Sequence, residues 1–178
     1  MTPCAHLIDD DDAIRDSLAW LLESCGVACL SYPSAEDFLA DWHPSFSGCI
    51  LLDIRMGGMS GPELFEVLCE RGCRMPVIFL TGHGDVPMAV AALKRGAFDF
   101  VEKPFNDNEL VDRVVEALKL DATQRLAASD ADSLSARLGR LTTREREVIL
   151  KTAVSRLHPH NFPATDALVA PRYQRESA

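Results

Sequence analysis

The sequence predicts an α/β domain with a doubly wound, five-stranded parallel sheet over residues 1–120. Five short apolar segments alternate with five segments of helical periodicity, a pattern typical of parallel strands joined by crossover helices. The third apolar segment, Cys49–Leu52, lacks inside–outside alternation, as expected for a strand covered by helices on both faces. Glycines follow several of the helical segments and favour sharp helix ends.

The first two repeats occupy residues 4–44. Cys4–Asp9 is the first predicted strand, and Asp10–Asp12 favour the start of a helix because acidic side chains complement the helix dipole. This helix is predicted to end at Gly26 and to carry a helically spaced set, Ile14, Leu18, Leu21, Leu22 and Cys25. Val27–Tyr32 is the second predicted strand. The second helix is expected to face the core with Phe38, Leu39 and Trp42.

The other three repeats follow the same plan. The central strand ends at Asp53, and Ser60 with Glu63 forms a capping-box pattern that opens a third helix ending at Gly72. The remaining predicted elements are a strand at 76–80, a helix at 85–95, a strand at 98–102 and a helix opened by Asn106 and Glu109 that continues through Leu118.

Composition and charge narrow the class of protein. The chain is 47% hydrophobic and 25% charged, as in globular proteins, and it has neither an apolar run of about 20 residues nor a signal-peptide pattern. We therefore expect a cytoplasmic protein with no membrane partner. Residues 1–120 carry a net charge of −11 and residues 121–178 carry +2. The first part should repel DNA, so any contact with nucleic acid is expected from the second.

The six cysteines allow three interpretations: disulfides, a metal site, or small buried side chains. They are Cys4, Cys25, Cys29, Cys49, Cys69 and Cys73. Disulfides are rare in the cytosol, and several of these cysteines fall within apolar patterns. We therefore expect free cysteines that pack as small hydrophobic side chains.

Polar residues follow four of the predicted strands. Asp9 and Asp10 come after the first strand, Asp53 after the third, Thr81 after the fourth and Lys103 after the fifth. The carboxyl ends of parallel strands share one edge of a sheet, where ligands bind. Carboxylates about 5 Å apart would repel by roughly 3 kcal/mol per pair at an effective dielectric constant near 20. A divalent cation bound by oxygen ligands, Mg²⁺, would relieve this repulsion.

These groups together suit phosphoryl transfer onto a carboxylate. Asp53 would be the nucleophile, while Mg²⁺ and Lys103 would neutralise the oxygens of the transferred group. Thr81 would donate a hydrogen bond to one of those oxygens. Gly82 and Gly84 would leave room for the donor.

The same residues resemble the receiver domain of two-component response regulators, which has a flavodoxin-like fold. The stretches that are similar to the nitrogen-fixation-regulator branch of this family are Asp53-Ile-Arg-Met, Met59-Ser-Gly, Thr81-Gly-His-Gly-Asp-Val-Pro-Met-Ala-Val and Glu102-Lys-Pro-Phe. The resemblance covers residues 4 to about 120. One departure is Gly57, where the family usually has proline.

The resemblance implies a role for the acidic residues. Asp53 would accept a phosphoryl group from the phosphohistidine of a histidine kinase. Asp10, Asp53 and the backbone carbonyl of Arg55 would bind Mg²⁺ directly, and Asp9 would assist through water. The protein would be a phosphoacceptor with at most slow self-dephosphorylation, not a turnover enzyme.

The resemblance also implies a switch. Lys103, preceding a cis bond to Pro104, would pair with the phosphoryl group. Thr81 would move toward that group, and Phe100 would swing inward behind it. This movement would alter a homodimerisation face formed by the fourth helix, the fifth strand and the fifth helix. The site's flanking residues Arg55, Gly82 and His83 would modulate the lifetime of the phosphoryl group.

In the C-terminal third of the chain, the residue pattern at 121–140 predicts a helix extension or a linker. Leu141–Leu150 resembles the opening of a LuxR-type helix-turn-helix, but such a module needs roughly 60 residues and 38 remain from Leu141. Prolines interrupt the continuation. We therefore expect an incomplete helix-turn-helix remnant and a disordered tail at 141–178, with autonomous DNA binding lost and no DNA-binding residue assignable.

Three other functions are compatible with parts of the pattern. A receiver-only regulator would act through protein contacts without binding DNA. A flavin mononucleotide carrier would share the fold, although the acidic loop after the first strand would repel the cofactor phosphate. A phosphatase with an aspartyl nucleophile usually carries a second Asp two residues later, and here that residue is Arg55.

Overall fold

Strands and helices alternate along the chain in the computed structural model, which describes residues 3–82, 86–139, 144–145 and 147–148. The strands are β1 (Cys4–Ile8), β2 (Cys29–Tyr32), β3 (Gly48–Asp53), β4 (Val77–Thr81) and β5 (Asp99–Glu102). The helices are α1 (Asp12–Ser24), α2 (Ala35–Asp41), α3 (Gly61–Glu70), α4 (Val86–Lys94) and α5 (Asp107–Gly139).

The five strands form one parallel sheet in the order β2-β1-β3-β4-β5. This arrangement confirms the predicted doubly wound α/β class. The strand order places β3 at the centre, and all six of its residues are buried. The sheet therefore carries the carboxyl end of β3 to the middle of one edge.

Helices cover both faces of the sheet. On one face, buried side chains of α2, α3 and α4 pack around Phe79 and Leu52. On the other face, α1 and α5 pack around Leu51 and Leu80. Successive residues of β3 thus enter opposite cores, which explains why the strand has no polar alternation.

Several element boundaries differ from the sequence-based predictions, most by a single residue. The second strand begins at Cys29 and not at Val27, because the Val27 amide bonds to the Leu22 carbonyl at 2.9 Å and completes the turn after α1. The fifth helix continues to Gly139, so that residues 121–139, for which the sequence left a helix extension or a linker open, are helical.

Side-chain caps fix the starts of several helices. Asp11 is the N-cap of α1, where its carboxylate accepts the amides of Ala13 and Ile14. Ser60 and Glu63 form the predicted capping box of α3. Asn106 caps α5 by accepting the amide of Asn108 at 2.9 Å. These caps satisfy backbone donors that the helices themselves leave unpaired.

The expectation for the cysteines was only partly correct. All six are free thiols, and Cys49 is buried in β3. Cys25 and Cys69, however, are exposed. Cys25 lies just beyond the end of α1, and Cys69 lies on the outward side of α3, so neither joins the core.

The chain divides into two units, Met1–Asp130 and Ala131–Ala178. Beyond α5, the described residues of the second unit are 144–145 and 147–148, which are helical and exposed. The rest of the predicted helix-turn-helix remnant and tail lies outside the described residues. None of the described helices is long and apolar enough to cross a membrane.

Candidate functional site

Four strands end together at one edge of the sheet. The strand register pairs Ile8 with Leu52, Asp53 with Leu80, and Thr81 with Glu102. The residues at or just after these ends are Asp9, Asp53, Thr81 and Lys103. Parallel pairing thus brings together side chains that are up to 94 positions apart in the chain.

The ammonium group of Lys103 bridges two carboxylates. Its Nζ donates to Asp53 Oδ1 at 2.6 Å and to Asp9 Oδ2 at 2.8 Å. The side chain of Asp9 is 1% exposed, that of Asp53 10% and that of Lys103 21%. The three charges therefore interact in a largely desolvated pocket that is open on the Lys103 side.

Burial and charge act in opposite directions on the titration of these groups. Burial raises the pKa of Asp53 above its ordinary value, and the charge of Asp9 adds to that rise, while Lys103 and the Arg55 amide oppose it. Burial lowers the pKa of Lys103, but its hydrogen bonds to Asp53 and Asp9 and their negative charges outweigh burial, so its pKa is raised. Lys103 is therefore held firmly in its protonated form.

The remaining oxygen of each buried carboxylate accepts a hydrogen bond from a backbone amide. The Arg55 amide donates to Asp53 Oδ2 at 2.8 Å, and the Asp11 amide donates to Asp9 Oδ1 at 3.0 Å. The Arg15 guanidinium bonds the Asp9 carbonyl at 2.6 Å. Both carboxylates are thus held in fixed orientations.

Three carboxylates hold the loop that follows Asp53, which we call the 55–59 loop. Its alternate amides donate to different acceptors: Arg55 to Asp53, Gly57 to Asp10 Oδ2 at 2.9 Å, and Met59 to Glu36 Oε1 at 3.0 Å. Sequence reasoning missed the contribution of Glu36, because an acidic residue in the first turn of a helix suggests only an interaction with the helix dipole.

Glycine allows α3 to start directly against the end of β3. A Cβ atom at Gly61 would lie 2.2 Å from the carbonyl oxygen of Asp53. The Gly61 amide also donates to the Ile54 carbonyl at 3.1 Å. Only glycine fits this close approach, so Gly61 helps to fix the position of Asp53.

Thr81 completes the inner wall of the site. The residue is 0% exposed, and its hydroxyl has no hydrogen-bond partner among the described residues. Its carbonyl accepts the Lys103 amide at 2.7 Å, which ties the ends of β4 and β5 together. A buried hydroxyl without a partner is costly in a resting protein and available to a ligand.

The other predicted switch and modulator residues lie around this wall. Phe100 is half-buried and packs against the core formed with α3 and α4. Gly82 is half-buried directly after β4, whereas His83 lies outside the described residues. The Lys103–Pro104 peptide bond is cis, as the resemblance implied.

The carboxylate oxygens at this site are suitable ligands for Mg²⁺, although the side chains are not arranged around a single point. Asp9, Asp10 and Asp53 with the single ammonium of Lys103 leave a net charge of about −2, and their oxygens are the ligands that Mg²⁺ prefers. Among the described residues, no group of three His, Cys, Asp or Glu side chains is arranged to hold a metal ion as it stands. Asp10 faces the Gly57 amide instead.

Comparison with known proteins identifies relatives of most of the chain. The sequence profile of the response regulator receiver domain matches residues 5–115. The C4-dicarboxylate transport transcriptional regulatory protein DctR of Rhodobacter capsulatus is 46% identical over 151 residues, which are 84% of this chain and 77% of that protein. The transcriptional regulatory protein FixJ of Azorhizobium caulinodans is 48% identical over 144 residues, covering 81% of this chain and 68% of that protein.

A solved structure supports the same grouping. The response regulator StyR superposes with a TM-score of 0.79 and is 39% identical in sequence. The superposition covers 85% of this chain and 77% of that chain. Both the sequence and the fold therefore point to the same group of proteins.

Proposed function

The chain belongs to the response regulator receiver family of two-component systems, and we propose that Asp53 accepts a phosphoryl group from the phosphohistidine of a histidine kinase. The observation that supports this role best is the Lys103 ammonium, bonded to Asp53 and Asp9 in a largely buried pocket. A carboxylate nucleophile beside a fixed cation is the arrangement that phosphoryl transfer requires.

In the proposed step, an oxygen of Asp53 attacks the phosphorus atom and a phosphorus–oxygen bond forms. The phosphorus–nitrogen bond of the donor breaks, and its electron pair leaves with the imidazole of the kinase. Before the transfer, the amide of Arg55 holds Asp53 Oδ2 at 2.8 Å. This hydrogen bond orients the nucleophile, because the carboxylate cannot rotate without losing it.

Receiver domains generally use Mg²⁺, which supplies positive charge that stabilises the oxygens of the transferred phosphoryl group. In this chain, Asp10, Asp53 and the Arg55 carbonyl would hold the ion, and Asp9 would assist through water. Lys103 would move from Asp53 Oδ1 to a phosphoryl oxygen, because the Asp53 carboxylate loses its own charge when it becomes an acyl phosphate. A phosphorylated side chain carries close to two negative charges near neutral pH, so Lys103 remains paired.

The buried hydroxyl of Thr81 links the modified site to the rest of the domain. It has no partner among the described residues, so a phosphoryl oxygen would give it an acceptor. Movement of Thr81 would make room for Phe100, which lies on the neighbouring strand opposite Phe79. In this way phosphorylation of Asp53 would change the conformation of β5.

The output surface would be the face formed by α4, β5 and α5. On α4, the apolar side chains of Met88 and Val90 are exposed. An ion pair of 3.2 Å joins Arg113 of α5 to Asp99 of β5, so that movement of β5 would be transmitted to α5. We propose that phosphorylation favours a homodimer through this face, and that the dimer controls transcription as the names of DctR and FixJ indicate for those proteins.

The protein would be a phosphoacceptor with at most slow self-dephosphorylation, in the cytoplasm where its kinase domain partner has access to it. The residue two positions after Asp53 is Arg55, which has no carboxylate to activate a water molecule. Hydrolysis of the phosphoaspartate is therefore expected to be slow compared with its formation.

The central test uses a radiolabelled small phosphodonor, acetyl phosphate, with Mg²⁺ and the full chain. Wild-type protein should become labelled, and Asp53→Ala should abolish the label. Asp112→Ala, which removes an exposed carboxylate on α5, serves as the matched control and should label normally. Equal labelling of the Asp53→Ala variant would show that Asp53 is not the acceptor.

A second experiment addresses the output. The phosphorylated and unphosphorylated chains are compared by size-exclusion chromatography and by binding to promoter fragments at several salt concentrations. Dimerisation on phosphorylation without specific DNA binding would support a receiver-only regulator that acts through protein contacts. Specific DNA binding by this 178-residue chain would contradict the expected loss of that activity.

A further inference from the structure

We propose that the backbone amide of Gly57 is a latch on Asp10 that competes with Mg²⁺ for this carboxylate. The proposal rests on the proposed function, because it concerns the cation needed for phosphorylation of Asp53. It makes Gly57 a positioning residue, which acts on the site through Asp10 and touches neither the cation nor the phosphoryl group.

The latch is a single hydrogen bond. The Gly57 amide donates to Asp10 Oδ2 at 2.9 Å. Asp10 is exposed and forms no hydrogen bond with Lys103, which bonds Asp9 and Asp53 instead. The carboxylate of Asp10 is therefore held by the Gly57 amide and not by the ammonium group.

In the latched arrangement one oxygen of Asp10 is occupied by the Gly57 amide. Among the described residues, no three acidic, histidine or cysteine side chains are placed to hold a metal ion, although Asp9, Asp10 and Asp53 surround the same strand ends. For Asp10 Oδ2 to join Asp53 around a cation, this oxygen must give up its hydrogen bond to the Gly57 amide. Cation binding at this oxygen therefore competes with the latch.

The rest of the 55–59 loop does not depend on the latch. Arg55 is held by Asp53 at 2.8 Å and Met59 by Glu36 at 3.0 Å, on either side of Gly57. Release of Gly57 therefore leaves the loop tied at both ends. The free energy needed to release the Gly57 amide is therefore about that of one hydrogen bond to a charged, exposed carboxylate.

Linkage gives the size of the effect. When only the unlatched fraction binds, the apparent dissociation constant is the intrinsic constant divided by that fraction. A hydrogen bond of ordinary net strength leaves about one fifth of the molecules unlatched. Removing the latch should therefore lower the apparent dissociation constant for Mg²⁺ about fivefold. Reciprocally, Mg²⁺ should free the Gly57 amide.

Two substitutions separate the amide from the side chain. Gly57→Pro removes the N–H donor, whereas Gly57→Ala keeps it. A Cβ atom at position 57 would meet only Asp10 Oδ2, at 3.9 Å, which is an ordinary contact. Gly57→Ala is therefore the matched control for a change of side chain without loss of the latch.

The first measurement is calorimetric titration of the full chain with MgCl₂. Gly57→Pro should bind about fivefold more tightly than wild type, and Gly57→Ala should bind within about twofold of wild type. Equal affinity of all three proteins, weaker binding by Gly57→Pro, or no binding by any of them would overturn the proposal.

The second measurement needs no substitution and so remains decisive when the proline variant misfolds. Amide resonances of the ¹⁵N-labelled wild-type chain are followed during the MgCl₂ titration. The Gly57 proton should shift upfield and exchange faster with water, while the Met59 amide, bonded to Glu36, should keep its protection. A Gly57 amide that stays protected at saturating Mg²⁺ would contradict the latch.

These measurements are independent of the proposed function. Labelling of wild type at Asp53 together with an unresponsive Gly57 amide would refute the latch and leave the phosphoacceptor role standing. The predicted Mg²⁺ affinities together with no labelling at Asp53 would support the latch and refute the phosphoacceptor role.

Discussion

The carboxylate of Asp121 accepts the backbone amide of Gly48 at 2.8 Å, which joins α5 to the first residue of the strand whose other end carries Asp53. Asp121 is 1% exposed, and the same carboxylate oxygen accepts Arg125 Nε at 2.8 Å. The Arg125 guanidinium also bonds the Phe46 carbonyl. The continuation of α5 past residue 120 is thus fixed to the base of the central strand.

Removal of this carboxylate should destabilise the domain. Asp121→Ala leaves the buried Gly48 amide without its acceptor and Arg125 without its ion pair, so the free energy of unfolding should fall by about 2–3 kcal/mol. Urea denaturation measures this change. Asp130→Ala, which removes an exposed carboxylate from the same helix, should change it by less than about 0.5 kcal/mol. Similar losses in both variants would mean that the Asp121 contacts contribute nothing specific.

Loss of the bridging ammonium should change the titration of Asp53. The hydrogen bond and charge of Lys103 lower the pKa of Asp53 against the effect of burial. In Lys103→Met the pKa of Asp53 should therefore rise further, as followed by carboxyl ¹³C resonances. Labelling by acetyl phosphate should slow by about tenfold or more. Lys119→Met, at an exposed position on α5, is the control, and an unchanged Asp53 titration in Lys103→Met would disagree with the observed geometry.

Removal of the Thr81 hydroxyl, which has no hydrogen-bond partner among the described residues, should have opposite effects on stability and on signalling. In Thr81→Val a similarly shaped apolar side chain replaces this buried polar group, so the free energy of unfolding should rise by about 1 kcal/mol. Asp53 should still be labelled, but phosphorylation should no longer promote dimerisation. Thr123→Val, at an exposed site, should alter neither property. Marked destabilisation by Thr81→Val would indicate that the hydroxyl is bonded in the resting protein.

His6 should make the stability of the domain depend on pH. Its ring stacks on Phe46 at 4.9 Å, and burial lowers its pKa to about 4, against smaller opposing effects of the Ser47 backbone and Asp41. The unfolded chain, in which the pKa of histidine is about 6.5, therefore binds more protons between pH 4 and 6.5. The contribution of the neutral His6 ring to the free energy of unfolding is fully present above about pH 6.5. It decreases as the pH falls through this window and stays constant below about pH 4.

The substitution His6→Phe should remove this part of the pH dependence. Between pH 7 and pH 4, the free energy of unfolding, measured by urea denaturation, should fall by up to about 3 kcal/mol more in the wild type than in the variant. His43→Gln changes an exposed histidine and should follow the wild-type curve. Parallel curves for wild type and His6→Phe would show that folding does not lower the pKa of His6.

Much of the fold could be predicted because local chemistry and tertiary structure agree. The unbroken apolar segment at 49–52 predicted a doubly covered strand, and β3 is entirely buried. The Ser60–Glu63 pair predicted the start of α3, where the capping box is formed. The start of β2 was predicted wrongly, because the residue pattern does not reveal the backbone hydrogen bond from the Val27 amide to the Leu22 carbonyl.

The sequence by itself determined that a set of acidic, hydroxyl and basic residues follows successive strands, since strand ends in a parallel sheet must share an edge. Only the tertiary structure decided which partners these residues take. Lys103 bridges Asp9 and Asp53, while Asp10 is held by Gly57 and Met59 by Glu36. The reason is physical: spacing along a chain fixes which edge a side chain reaches, but hydrogen bonds a few ångströms long depend on the packing of segments that are distant in sequence.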